Sequence, residues 1–433
     1  MTPRFLHRVR TEIKSYSRPE LLFILATMAV SFLITAEAGI TRASANSVFL
    51  TAYSAKLFPT VWLASVPLNF IIVSFYNRFI HKFGCVKMMA ISIGTAIMMN
   101  TISAFYLKTV PFLPFVLYLW KDIFIILMFQ QLWSVIHATV NISKAKYLYG
   151  IVFGMGGLGS VFGSLFPSFL AVTLGTEKLL LTTLPFYVLV LVTYYIALWK
   201  REKIPGKQDI RATSMESTDI LSGFKLIKQS RFLVFILAIV TFMQVSATIL
   251  DFQFNTMLEK NFAVQDLRTQ FLGRFFGIVN SINVLLQFVG SFILIRLVGL
   301  KWAHFSVPFY LSLNALSFLL FPSFNVMLVY FGSIKAMDYS IFGIIKEMLY
   351  IPLKVEEKFK AKAVIDVFAY RTSKAVASFV IIILQGISWV ALSTLLSWSI
   401  LTIFILWMTA VVSMFKYYYR EVDNHYENLA ASD

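Results

Sequence analysis

Arg371 and Lys374 stand three residues apart in a stretch that is otherwise mostly apolar. On a helix that spacing puts both on one face. Two cations facing inward from an apolar segment suit an anion. Arg offers a planar fork to phosphate or carboxylate, and Lys a point charge. Asp366 lies five residues before Arg371, too oblique on an α-helix to neutralise both, and the competing reading is a structural ion network. Glu37, Lys121, Asp122, Asp251, Arg274, Lys335 and Asp338 are further charges in or at the edges of apolar stretches. Lys335 and Asp338 share a helix face and read equally as a self-neutralised staple. Lys121 and Asp122 are adjacent and should find partners elsewhere. Lys346 and Glu347, followed by Pro352, read either as an ion-paired gate or as a loop staple. Glu37, Arg42, Arg274, Lys335, Asp338 and Asp366 complete the candidate gate and ion-pair set.

No group is placed for catalysis. HExxH, paired CxxC and a serine elbow are all missing from the sequence, and His7, His81, His137, His304 and His425 are dispersed. The single cysteine, Cys85, can form no internal disulfide. The expectation is therefore no enzyme, no metal and no cofactor.

The elements that must hold these charges follow from composition. Hydrophobic residues make up 58% of the 433 and charged residues 14%, against about 45–50% and about 25% in soluble domains. That much apolar surface requires lipid as part of the solvent. About twelve stretches are long enough to span a bilayer, near 20–38, 59–79, 84–107, 112–137, 148–172, 179–199, 231–252, 270–296, 302–320, 323–345, 362–386 and 389–414. The longest polar stretch, 200–230, falls between the sixth and seventh. The predicted organisation is an N-terminal six-helix bundle over 1–199, a basic linker over 200–230, a C-terminal six-helix bundle over 231–416 and a tail over 417–433. A central cavity open alternately to each side would follow.

Net charge is +17. Most Lys and Arg fall in connections sharing one side of this arrangement, while Arg42, Lys56, Lys108, Lys178, Lys260 and Arg268 fall in the others. By the positive-inside rule both termini are cytoplasmic, and the basic residues meet anionic lipid head groups rather than nucleic acid. The N-terminal basic cluster precedes an uncleaved first helix rather than a signal peptide. Gly150, Gly154, Gly156, Gly157, Gly159 and Gly163 crowd one segment. It lacks the strand–loop–helix context of a phosphate cradle, and spacings of three and four residues suit close helix packing, including Gly159-x-x-x-Gly163.

Lys346-Glu-Met-Leu-Tyr-Ile-Pro-Leu353, then Lys360-Ala-Lys-Ala-Val-Ile-Asp366-Val, then Arg371-Thr-Ser-Lys374 closely resembles a signature of the bacterial and plastid ATP/ADP translocases. The segment from Ser143 to Gly156 and that from Thr41 to Ala52 resemble two further segments of the family, in the same order. The resemblance implies a major-facilitator-like all-α fold of twelve transmembrane helices, in the cell inner membrane. It also implies exchange of nucleotides or a related phosphate-bearing anion, with Lys121, Asp251, Arg371 and Lys374 at the substrate. Asp251 matches a family Glu. Ala45 and Asn46 stand where the family carries Lys and Asp, and Lys121-Asp122 stands near an acidic family position. Lys121 would then replace the cation lost at Ala45, with Asp251 orienting or gating. A smaller organic anion or a nucleoside as substrate, or a scaffold without transport, are the alternatives.

Overall fold

The computed structural model describes residues 16–139, 142–205, 220–353 and 361–430. Arg4, Arg8, Arg10 and Lys14, the linker residues 206–219, and Lys354, Lys358 and Lys360 lie outside the described residues. A chain immersed in lipid must satisfy its backbone within itself, and among the described residues it does so with helices. Twelve of these are long and apolar enough to cross a membrane: α1 Arg18–Tyr53, α2 Ala55–Ile80, α3 Lys82–Tyr106, α4 Leu113–His137, α5 Gly150–Leu174, α6 Thr176–Arg201, α7 Arg231–Asn261, α8 Gln265–Phe288, α9 Leu294–Leu320, α10 Phe324–Met348, α11 Val364–Leu384 and α12 Trp389–Arg420. The protein is a multi-pass membrane protein.

Local signals set several of the starts. Ser17 and Glu20 form a capping box at α1, with Ser17 N–H to Glu20 Oε2 at 2.8 Å and Glu20 N–H to Ser17 Oγ at 3.4 Å. Ser230 and Ser323 cap α7 and α10 by accepting the N–H of Leu233 and Val326. Two glycines break the chain's helical course near the starts of α3 and α9. Gly84 (φ 75°, ψ 170°) and Gly299 (φ 77°, ψ 167°) adopt a backbone that side chains with a Cβ rarely reach. Both let one span reverse into the next with almost no loop.

The first helix is longer than its apolar run predicts. Thr41, Ser44, Asn46 and Ser47 are buried on its continuation, so residues read as a connection are helix. Arg42, assigned to a loop by sequence, sits exposed on α1. The α7 helix likewise continues past its apolar run to Asn261. Hydropathy marks where a helix is greasy, not where its backbone hydrogen bonding stops.

Two compact units form. The first gathers the described residues of 1–48, 71–216 and 269–277. Its core packs Phe23, Val30 and Ile34 of α1 with Met89 and Ile93 of α3, Phe124 and Met128 of α4, and Tyr187 and Tyr194 of α6. Here the small face of α5 meets α1 as its spacing predicts. Ser31 Oγ donates to Val152 O at 2.9 Å and Thr35 Oγ1 to Gly156 O at 2.7 Å. A Cβ on Gly159 would lie 2.2 Å from Phe32 O, and one on Gly163 2.0 Å from Ala36 O.

The second unit gathers the described residues of 49–70, 217–268 and 278–433. In it α7 packs on α10, α11 and α12, and α9 on α12. Phe254 stacks on Phe331 with centroids 4.0 Å apart. Three stretches, Leu286–Gly290, Asp338–Phe342 and Ala363–Ala369, are π-helical. Such insertions free carbonyls and recur at functional sites. In the second of them the Tyr339 carbonyl accepts Gln287 Nε2–H at 2.8 Å.

Candidate functional site

Most of the singled-out charges lie in the second unit. The π-helical opening of α11 ends at Ala369, and Arg371 and Lys374 follow on regular α-helix (Tyr370–Leu384). Both side chains are partly buried. Among the described residues neither has a carboxylate within ion-pair distance. Each meets an aromatic ring on α2 instead: Arg371 lies 5.5 Å from the Phe70 centroid and Lys374 5.2 Å from that of Trp62. Cation–π contact is worth about 0.5–2 kcal/mol, too little to offset a charge at membrane depth, which costs several kcal/mol.

The neighbouring lysines are neutralised. Lys335 Nζ is 2.8 Å from Asp251 Oδ2, on α7. This replaces the expected Lys335–Asp338 pair, and it gives Asp251 a counter-ion instead of leaving its carboxylate free for substrate. Asp338, the first residue of a π-helical stretch, finds its partners elsewhere. Its buried carboxylate turns to neutral donors, the Tyr370 hydroxyl at 3.0 Å and Gln244 Nε2 at 3.4 Å. Lys346 Nζ is 2.7 Å from Asp366 Oδ1 and 3.6 Å from Glu347 Oε1, while Glu347 Oε2 takes Lys362 Nζ at 2.5 Å. Four charges thereby cross-link the end of α10 to the start of α11. Beside them burial, then the Asp366 and Glu347 carboxylates, push the Tyr350 phenol well above its ordinary range, so it stays neutral.

This geometry redirects the gate test. The principal partner of Lys346 is Asp366, not adjacent Glu347. Lys346→Asp or Asp366→Lys alone should lower stability by up to about 3 kcal/mol, the low end for a buried pair losing one member. The swap of both should recover most of it, whereas exchanging charge between positions 346 and 347 should not. Thermal unfolding in detergent reads the difference.

In the first unit the singled-out charges form no such network among the described residues. Lys121 Nζ pairs with its own neighbour, 2.7 Å from Asp122 Oδ1, and lies 4.1 Å from the Tyr118 centroid. The flexible lysine stem folds back to reach its adjacent residue. Arg42 lies 5.9 Å from the Phe276 centroid, and Arg274 is exposed. Glu37 is buried and bonded to neutral groups. Ala45, where the resemblance marks a lost lysine, is fully buried with Val48, Leu113, Leu117 and Leu180. A lysine there would enter an apolar cluster.

Sequence reasoning missed several contributors. Trp62, Phe70, Gln244 and Tyr370 carry no local signal. Glu259 looks like an interfacial acid, yet its Oε2 accepts the Ser54 hydroxyl at 3.1 Å and the Ala55 N–H at 2.9 Å. Arg268, counted as a loop cation, is buried and donates to Phe262 O at 2.7 Å and Thr51 Oγ1 at 3.3 Å.

The fold is that of solved major-facilitator transporters. Similar structures include a D-xylose-proton symporter (13% identity, TM-score 0.60, covering 92% of this chain and 97% of that one). A bacterial homologue of the iron transporter ferroportin, inward-facing, gives 11% identity and TM-score 0.62 over 92% and 99% of the two chains. At those identities the likeness is one of fold alone. Among curated proteins, the ADP,ATP carrier protein 3 of Rickettsia bellii (strain RML369-C) is 26% identical over 235 residues, 48% of this chain and 46% of that protein. The ADP,ATP carrier protein 1 of Chlamydia muridarum (strain MoPn / Nigg) is 35% identical over 86 residues, 19% and 16% of the two. The chain thus spans about half the length or less of the curated relatives it matches. The match to the family described as TLC ATP/ADP transporter runs over residues 112–418, most of the chain and all of the second unit's charge cluster, and the protein belongs to that family.

Proposed function

We propose that the protein exchanges a phosphate-bearing anion, of the nucleotide class, across a cell inner membrane by alternating access. Both termini face the cytoplasm, and the basic connections on that side meet anionic lipid. Residues 1–199 and 231–416 act as the moving bundles. The observation that carries this reading is the contrast among cations. Lys121, Lys335 and Lys346 each have a carboxylate at 2.7–2.8 Å, whereas Arg371 and Lys374 have only rings among the described residues. A phosphate supplies the missing counter-charge, and Arg371 can engage two of its oxygens at once. The Lys335–Asp251 and Lys346–Asp366 pairs hold the surrounding helices and can exchange partners as those helices move. Lys121, already neutralised by Asp122, contributes only where that pair opens.

The relatives' names make ADP and ATP the first compounds to test. In vesicles containing the purified protein, uptake of labelled ADP should be inhibited by ATP, ADP, GTP or NAD more strongly than by an uncharged nucleoside. Competition by the nucleoside alone would overturn the phosphate reading. No uptake of any of them, with correct insertion, would favour a scaffold that keeps the fold.

A further inference from the structure

Glu37 takes no part in the proposed anion site, yet it sits about halfway along α1 at 2% exposure. Its Oε1 accepts the hydroxyl of Thr41, one turn further on, and that of Tyr187 from α6 at 2.7 Å. Asn100 of α3 closes the cage. Its Nδ2 donates to the Tyr187 hydroxyl oxygen at 2.9 Å, to Thr183 Oγ1 at 2.9 Å and, weakly, to Thr41 Oγ1 at 3.5 Å.

Every group around the carboxyl is neutral. From α1 comes Thr41, from α3 Asn100, and from α6 Thr183 and Tyr187; α4 adds Phe124, edge-on to the Tyr187 ring at 5.1 Å. From α5 come Gly159 and Gly163, against the backbone of Phe32 and Ala36. Tyr187 is the one titratable side chain facing Glu37 among the described residues. The nearest cation along the chain, Arg42, is exposed beside Phe276. No cation lies within ion-pair distance of Glu37 among the described residues.

Proton counting within the cage comes out one short. Thr41 and Tyr187 each spend their single hydroxyl hydrogen on Oε1, and the Thr183 hydroxyl goes to Leu180 O at 2.6 Å. Asn100 Oδ1 is buried and receives no hydrogen bond. A bare carboxylate there would be an uncompensated charge at membrane depth, costing several kcal/mol. One proton on the carboxyl removes that charge.

We propose that Glu37 is a proton-binding site, loaded in this conformation and emptied to water when the Thr41–Asn100–Tyr187 cage opens during the transport cycle. On unloading, the proton passes from the Glu37 carboxyl to water, and the carboxylate left behind is solvated by the water that the opened cage admits. The site itself stands on the cage geometry; only its coupling to substrate rests on the transport reading above.

Infrared spectroscopy of the reconstituted full chain tests the site without any substrate. A carboxylic-acid C=O band should be present in the wild type, absent from Glu37→Gln, and lost from the wild type on moving from mildly acidic to mildly alkaline buffer. Tyr187→Phe deletes one donor to the carbonyl oxygen and should move the band to higher frequency, which keeps the test decisive if Glu37→Gln does not fold. Spectra with no Glu37 acid band, a band that no buffer removes, or one unmoved by Tyr187→Phe would overturn the proposal. With a pH-sensitive dye inside vesicles, ADP uptake should carry protons in the wild type and none in Glu37→Gln. Wild-type uptake without proton movement overturns the coupling. If the wild type takes up no ADP, the transport reading fails and the infrared band still decides the site.

Discussion

Replacing Arg371 and Lys374 together by Gln should bring nucleotide uptake down to the level of empty vesicles. A charge-assisted hydrogen bond to phosphate contributes about 1.5–3 kcal/mol. Losing both cations should therefore weaken substrate binding by roughly a hundredfold to ten-thousandfold. Arg371→Lys should cost part of that, since a point charge cannot reproduce the planar fork. What makes the expectation specific is stability. Neither cation has a carboxylate partner among the described residues, so their removal leaves no buried acid exposed to lipid. The double variant should melt close to wild type while its transport collapses. Lys335→Gln, by contrast, strands Asp251 and should lower the melting temperature. Undiminished uptake by the Arg371→Gln, Lys374→Gln variant would sink the anion-site reading.

The second large effect belongs to the contact between α1 and α5. Gly163→Val should destabilise the first unit by about 1–3 kcal/mol. The added carbons collide with Ala36 O, a backbone atom that no rotamer change can move away. Gly159→Val should do the same through Phe32 O. Gly157, one residue off the packed face and partly exposed, serves as the control and should tolerate Ala. Thermal unfolding in detergent measures all three. Equal melting of the Gly157 and Gly163 variants would mean that close packing along this face is not what those glycines provide.

Much of this architecture could be read from the chain because hydropathy reports directly on contact with lipid. The twelve spans follow from run length alone, and the α5 glycines announce their packing by spacing. Arg371 and Lys374 stand out because nothing nearby in sequence balances them, and nothing among the described residues does so in the structure. Pairing was another matter. The partner of Lys335 is on α7, 84 residues away, and no local pattern encodes that distance. The spacing rules also assume α-helical periodicity, whereas the residues from Asp366 to Ala369, before Arg371, are π-helical. There an extra residue rotates every later side chain off its expected face. Glu37 illustrates the opposite failure. As a bare letter it resembled a gate charge, while its cage, built from Thr41, Asn100, Thr183 and Tyr187, exists only after α3 and α6 have packed beside α1.

The two reversals at Gly84 and Gly299 share one constraint. Each lies between one span and the next, uses the same amino acid, and repeats the same pair of dihedrals to within a few degrees. The surrounding letters, Lys82-Phe-Gly-Cys-Val-Lys87 and Leu297-Val-Gly-Leu-Lys301, share little else. A bend of this kind tolerates almost no residue but glycine, so each of these two positions is closed to any side chain with a Cβ, whatever its flanking sequence, even though open space surrounds both.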